Sequence, residues 1–90
     1  MTTETDTATG ARVILVLPRG WVVVGTLAYE DDRVVRLTDT SVIRRWGTTA
    51  GLGQLALHGP QPETVLDPCG TVQAHPQAIV LRMACEDAWS

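Results

Sequence analysis

The sequence contains no lysine and no phenylalanine. All seven of its cations are therefore arginine, set against ten Asp and Glu, for a formal net charge of −3. A GC-rich coding bias accounts for the missing lysine. The choice of Arg for forked recognition of anions accounts for it too, and composition alone does not support the second over the first. An acidic chain is a poor non-specific nucleic-acid binder, because such binding needs cations to neutralise phosphates. Cysteine is scarce: Cys69 and Cys85 make no disulfide framework, and no C-x-x-C is present. No apolar run approaches the ~20 residues of a spanning helix. Residues 1–10 are Thr-rich and acidic with no apolar stretch, so they do not read as a signal peptide. At 90 residues the chain is too short for a second domain or a fold of many crossover units. These absences leave a small cytoplasmic domain.

What is present is the profile of one globular domain, 44% apolar and 19% charged. Residues 1–10 read as a disordered tail and residues 11–90 as a single β-barrel-like domain. Val13-Ile14-Leu15-Val16-Leu17 is a continuous apolar run ended by Pro18. Trp21-Val22-Val23-Val24 resumes it after the Pro18-Arg19-Gly20 turn signal, which predicts an antiparallel hairpin. Gly25, inside the second strand, predicts a bulge or sharp bend that lets a small sheet fold over itself. Glu30-Asp31-Asp32 is the next turn. Val34 to Leu37 and Ser41 to Trp46 read as separate strands divided at Asp39-Thr40.

Residues 47–53 are a Gly/Thr-rich loop. Leu52, Leu55 and Ala56 then fall at helical spacing, with Thr48 or Thr49 as the expected cap and Gly59-Pro60 as the stop. Residues 61–69 read as a loop with a short edge strand at Thr64-Val65-Leu66. Residues 70–74 and 78–84 are the last two strands, predicted as a hairpin about Pro76. In all, about five to seven short strands and one short helix predict a mainly β fold, a small SH3-like antiparallel barrel or roll. The first hairpin does not alternate apolar and polar residues, so both its faces must be covered. With little core available to a chain this size, a second subunit is the expected cover, making the protein a homo-oligomer.

Asp31 and Asp32 are adjacent carboxylates, read as a solvated turn rather than an acid–base dyad. Asp67, beside Pro68, reads as a turn residue. Cys69 and Cys85 with His58 and His75 carry no nucleophile signature, and His58, Asp67, Cys69 and His75 lack zinc spacing. The two cysteines are expected as small apolar filler, although the predicted last hairpin would set them near each other at its open end. No catalytic set, metal or cofactor is expected, and the protein does not read as an enzyme.

The most informative segment runs from Ile43 to Gly53. Arg44 and Arg45 suit forked hydrogen bonds to phosphate, and Trp46 offers a stacking face. Thr48, Thr49 and the backbone at Gly47, Gly51 and Gly53 would close such a site at the start of a helix. The Gly-Lys-Ser/Thr ending of a Walker A loop is missing, as is a dinucleotide fingerprint. The competing reading is a structural corner in which Trp46 fills the barrel end. Strand alternation puts Arg44 and Arg45 on opposite faces, so both reach one site only if the strand has ended or a second subunit contributes.

The stretch Arg44-Arg45-Trp46-Gly47-Thr48-Thr49, then Gly51-Leu52-Gly53-Gln54-Leu55-Ala56, Gly59-Pro60 and Thr64-Val65-Leu66-Asp67, with Ile79 and Cys85 near the end, resembles a group of small phage- and prophage-encoded proteins. The resemblance covers roughly residues 21–85 and brings no established chemistry with it. In type, the chain is similar to short phage proteins that counter bacterial defence by sequestering cyclic or modified nucleotide signals in oligomer pockets. That similarity implies a phosphorylated small-molecule ligand, a homo-oligomer and the host cytoplasm. The alternative is a structural or protein-interaction module of a phage, a particle accessory or an inhibitor of a host protein, with the apolar hairpin of residues 13–24 as its partner surface.

Overall fold

The structure is a computed structural model that describes residues 9–49 and 51–85. It is mainly β: five antiparallel strands in one sheet with a single short helix. The strands are β1 (Arg12–Val16), β2 (Val22–Glu30), β3 (Val35–Arg45), β4 (Val65–Ala74) and β5 (Leu81–Ala84), and the helix is α1 (Leu52–His58). The sheet order is β4-β3-β2-β1-β5. It is a four-strand meander whose free β1 edge is taken by the last strand. No helix among the described residues is long and apolar enough to cross a membrane.

The predicted β1–β2 hairpin is present, with Ile14 opposite Val24 and Val16 opposite Val22. Its turn is tightened by Arg19 and Gly20, both at positive φ. Both faces are buried, as the unbroken apolar run demands, but this chain covers them itself. On one face Ile14, Val22 and Val24 join Ile43 and the buried side of α1, namely Leu52, Leu55 and Ala56. On the other, Val13, Leu15 and Val23 pack with Leu27, Val35 and Leu37. The buried members of that second group come from β1, β2 and β3, with Leu17 and Ile79 packed against them, so the sheet rolls over onto its own face. A partner subunit is therefore not needed to cover the hairpin. Of the stretch proposed as a partner surface, Val13, Ile14, Leu15, Val22, Val23 and Val24 are buried within this chain, and Trp21 is exposed.

Bulges produce the roll. The β2–β3 register shifts between Val24 and Thr26, at the predicted Gly25 position. A Cβ on Gly25 would lie 2.7 Å from Thr40 Oγ1 and 3.0 Å from Leu37 Cβ, so the close approach requires glycine. Across from it Asp39 takes φ 50, and the strand continues through it. The division of β3 at Asp39-Thr40 is thus a bulge rather than a turn. Arg12 of β1 spans the distortion, donating to the Asp39 carbonyl at 2.8 Å and to Thr26 Oγ1 at 3.2 Å. The roll is fastened by Arg82 of β5. Its guanidinium donates to both carboxylate oxygens of Glu30 at the far end of β2, at 3.0 and 2.7 Å.

Two further expectations are corrected. Residues 65–74 form one ten-residue strand, not a loop and two pieces, and Pro68 is tolerated because β4 is an edge strand. The last two strands do not form a hairpin. β4 pairs with β3 and β5 with β1, so Cys69, on one outer strand, and Cys85, just past the end of the other, are on opposite sides of the sheet order and are free thiols. Cys85 packs against the core beneath α1, whereas Cys69 is exposed. Gly10, placed in the tail by sequence, donates its N–H to the Leu27 carbonyl at 2.7 Å. Residues 1–8 lie outside the described residues.

Candidate functional site

The segment singled out by sequence is the β3–α1–β4 connection, and its parts lock together. β3 ends at Arg45, and Trp46 follows with its carbonyl accepting from Thr64 Oγ1 at 2.7 Å. Thr64 Oγ1 in turn accepts from the Gln61 N–H at 2.8 Å. Gly47 sits at φ 65 against the backbone of residues 63–64, and a Cβ there would lie 2.5 Å from both Glu63 O and Thr64 N. Only glycine lets the two segments cross.

The helix start differs from expectation. Its N-cap is Gly51, at φ 81, and no side chain caps it. Gln54, inside α1, instead reaches back so that its Oε1 accepts from the Thr49 N–H at 3.1 Å and the Thr49 hydroxyl at 3.3 Å. A helix of seven residues adds little dipole to hold an anion. At the other end Gly59 donates to the Leu55 carbonyl, the predicted stop.

The two arginines diverge. Arg44 makes a fork onto Asp67, with Nε to Oδ2 at 2.7 Å and Nη2 to Oδ1 at 3.4 Å. Asp67 is therefore a half-buried strand residue that receives Arg44, not a turn residue. Arg45 makes only a long pair with Glu63, at 3.7 Å. Both arginines are exposed, and the pairing leaves Arg45 the less committed. Trp46 is 42% exposed and does not fill the barrel end. Thr48 is half-buried beside it in sequence. Arg45, Trp46 and Thr48 thus follow one another closely in sequence past the end of β3, with Arg45 and Trp46 exposed, while Arg44 is paired with Asp67, Thr49 with Gln54, and Gly51 is the N-cap of α1. The pinning partners Glu63, Thr64, Gln61 and Gln54 were not expected. The signal for them was the Glu63-Thr64 pair lying just ahead of β4.

The remaining titratable groups have structural surroundings. Asp31 Oδ1 accepts from the N–H groups of Arg33 and Val34, at 2.7 and 2.9 Å, and Oδ2 from the Tyr29 hydroxyl at 2.7 Å. The Tyr29 bond, then the backbone bonds, hold its carboxyl below the ordinary range. It is an ionised turn organiser. His75 Nδ1 accepts from the Gln77 N–H at 3.0 Å and shapes the turn before β5. Glu30 is likewise held low by the hydrogen bonds from Arg82. Among the described residues, no three His, Cys, Asp or Glu side chains are grouped to hold a metal ion. No protein-family model matches this chain, and no curated protein matches its sequence.

Proposed function

We propose that this protein is a non-catalytic, homo-oligomeric binding module that takes up a phosphorylated small molecule with an aromatic base at the Arg45–Trp46–Thr48 corner. One observation supports the reading above the others. The backbone of the corner is pinned at Trp46 and Gly47, yet the Trp46 indole and the Arg45 guanidinium face solvent. A fixed backbone presenting a stacking face and a weakly engaged cation is preorganised for such a ligand. The Glu63 pair is of the exposed kind that contributes about 0–1 kcal/mol, so a phosphate can replace it. The similarity to phage counter-defence proteins makes cyclic and modified nucleotide signals the first ligands to try, and the host cytoplasm the place of action.

The test is native mass spectrometry and thermal shift with a panel of cyclic and modified nucleotides. Arg45→Ala should abolish binding while the melting temperature stays within about 1–2 °C of wild type. Undiminished binding by that variant would refute the site. A second reading, a structural or protein-interaction module of a phage, is favoured by exposed apolar side chains elsewhere, Trp21, Leu57, Val80 and Leu81. Under it no nucleotide raises the melting temperature, and the contact is carried by those exposed side chains rather than by the Trp46 corner.

A further inference from the structure

β2 and β3 run side by side in opposite directions, with Val23 opposite Val42 and Val24 opposite Ser41. The start of β2 and the end of β3 are therefore at the same end of the sheet. β2 is entered from the turn Pro18–Gly20 through Trp21, and β3 leads out through Arg45 into Trp46. Neighbouring strands are about 4.8 Å apart, so Trp21 and Arg45 leave the sheet at one end, from adjacent strands.

The turn repeats the chemistry of the corner. Trp21 is 57% exposed while its backbone is fixed, its carbonyl accepting from the Leu17 N–H at 2.7 Å. Trp46 shows the same combination of a pinned carbonyl and an exposed indole. These are the two tryptophans among the described residues, and both are at this end of the sheet. Each has an arginine close to it in sequence. Arg19 is exposed, and its side chain makes no hydrogen bond or ion pair among the described residues. No acid occurs between residues 11 and 29 to neutralise it. By contrast Arg12, Arg44 and Arg82 are paired with carboxylates, Arg36 lies over the Tyr29 ring, and Arg33 shares its turn with Asp31 and Asp32. Arg19 also sits at φ 65, a left-handed backbone that suits glycine better, so a guanidinium is presented there against local preference.

We infer that the ligand site at the Arg45–Trp46–Thr48 corner continues across the start of β2 onto the Pro18–Trp21 turn, where Arg19 takes a second phosphate and Trp21 a second base, so that the ligand class is a dinucleotide. The inference rests on the proposed function and narrows its ligand. One unpaired guanidinium and one loosely paired one match two phosphates, and two exposed indoles match two bases. The same inventory disfavours a longer strand of nucleic acid. The remaining cation at this end, Arg44, is already forked onto Asp67, and the net charge of −3 repels further phosphates.

Tryptophan fluorescence titrations of the full chain at physiological salt test it, with Arg19→Gly as the variant. The probes are mononucleotides, linear and cyclic dinucleotides of the four bases, and single strands of about ten nucleotides. Glycine accepts the left-handed backbone, so the variant keeps the fold, and circular dichroism checks this. The expected result is a dinucleotide bound at least about tenfold tighter than any mononucleotide, an advantage that Arg19→Gly removes while leaving mononucleotide affinity within about twofold of wild type. Folded Trp21→Ala should act in the same direction. A dinucleotide affinity that Arg19→Gly leaves unchanged overturns the extension and spares the Arg45 corner. A longer strand bound tighter than every dinucleotide overturns the ligand class in favour of single-stranded nucleic acid. Binding of none of the probes overturns both the extension and the proposed function.

Discussion

Replacing Gly25 with alanine tests the rolled sheet directly. Gly25 is not at positive φ, so alanine is sterically admissible to the backbone there. In open space the substitution would stabilise the protein by about 0.4–1 kcal/mol, by narrowing the unfolded ensemble. The roll reverses that sign. The new Cβ would lie 2.7 Å from Thr40 Oγ1 and 3.0 Å from Leu37 Cβ, and both neighbours are fully buried. Forcing a methyl into such a site costs about 1–3 kcal/mol. The net expectation is a loss of about 1–2 kcal/mol, a fall in Tm of roughly 5–15 °C for a domain of this size. Urea and thermal denaturation followed by circular dichroism would measure it. Thr40→Ala in the same chain removes the nearest atom, so the double variant should recover about 1 kcal/mol relative to the sum of the singles. A Gly25→Ala protein that melts at or above the wild-type temperature, or a cycle with no coupling, would refute the account of the β2 bulge.

Other outcomes follow from single contacts. Thr40 Oγ1 is buried without a hydrogen-bond partner among the described residues, so Thr40→Val should raise stability by about 1 kcal/mol in urea melts. Gly47→Ala meets both a left-handed backbone and the Glu63–Thr64 peptide, and should cost about 3 kcal/mol or more by the same measurement. Glu30 has its carboxyl held below the ordinary value of 4.5 by Arg82. Its contribution is therefore complete above that value and is lost as pH falls through the lower folded one. Glu30→Gln should consequently show a shallower loss of Tm than wild type on acidification below about pH 5.

How far the residues announce this fold varies by element. The β1–β2 hairpin was legible because Pro18, Arg19 and Gly20 interrupt an otherwise unbroken apolar run. The bulge at Gly25 and the helix from Leu52 to its Gly59 stop were legible for local reasons as well. What was not legible depends on distant contacts. The passage of β3 through Asp39 relies on Arg12, twenty-seven residues away. Pro68 looked like a loop residue because the edge position that excuses it is a property of the sheet order. Patterning demands that both hairpin faces be buried, but not that the same chain buries them. Patterning reports that a face is covered, and the curl that brings Val35 and Leu37 onto Leu15 comes from bulges in the β2–β3 pairing, outside the apolar run itself. At the candidate site, the residue types were visible but their division of labour was not. Nothing in Arg44-Arg45 reveals that the first is clamped to Asp67 while the second stays loose.

The sheet order also governs how the chain can be made. β1 is synthesised first, yet the strand that covers its outer edge, β5, emerges some seventy residues later. Until then the nascent meander presents Val13, Ile14, Leu15 and Val16 along an unsatisfied edge, and the Arg82–Glu30 fastening does not exist. Closure therefore waits for the last strand and has a long loop to close, the regime in which β proteins fold slowly and nascent edges find each other. For this chain, the interval between the emergence of its first and last strands is when it is most exposed to chaperones and to aggregation.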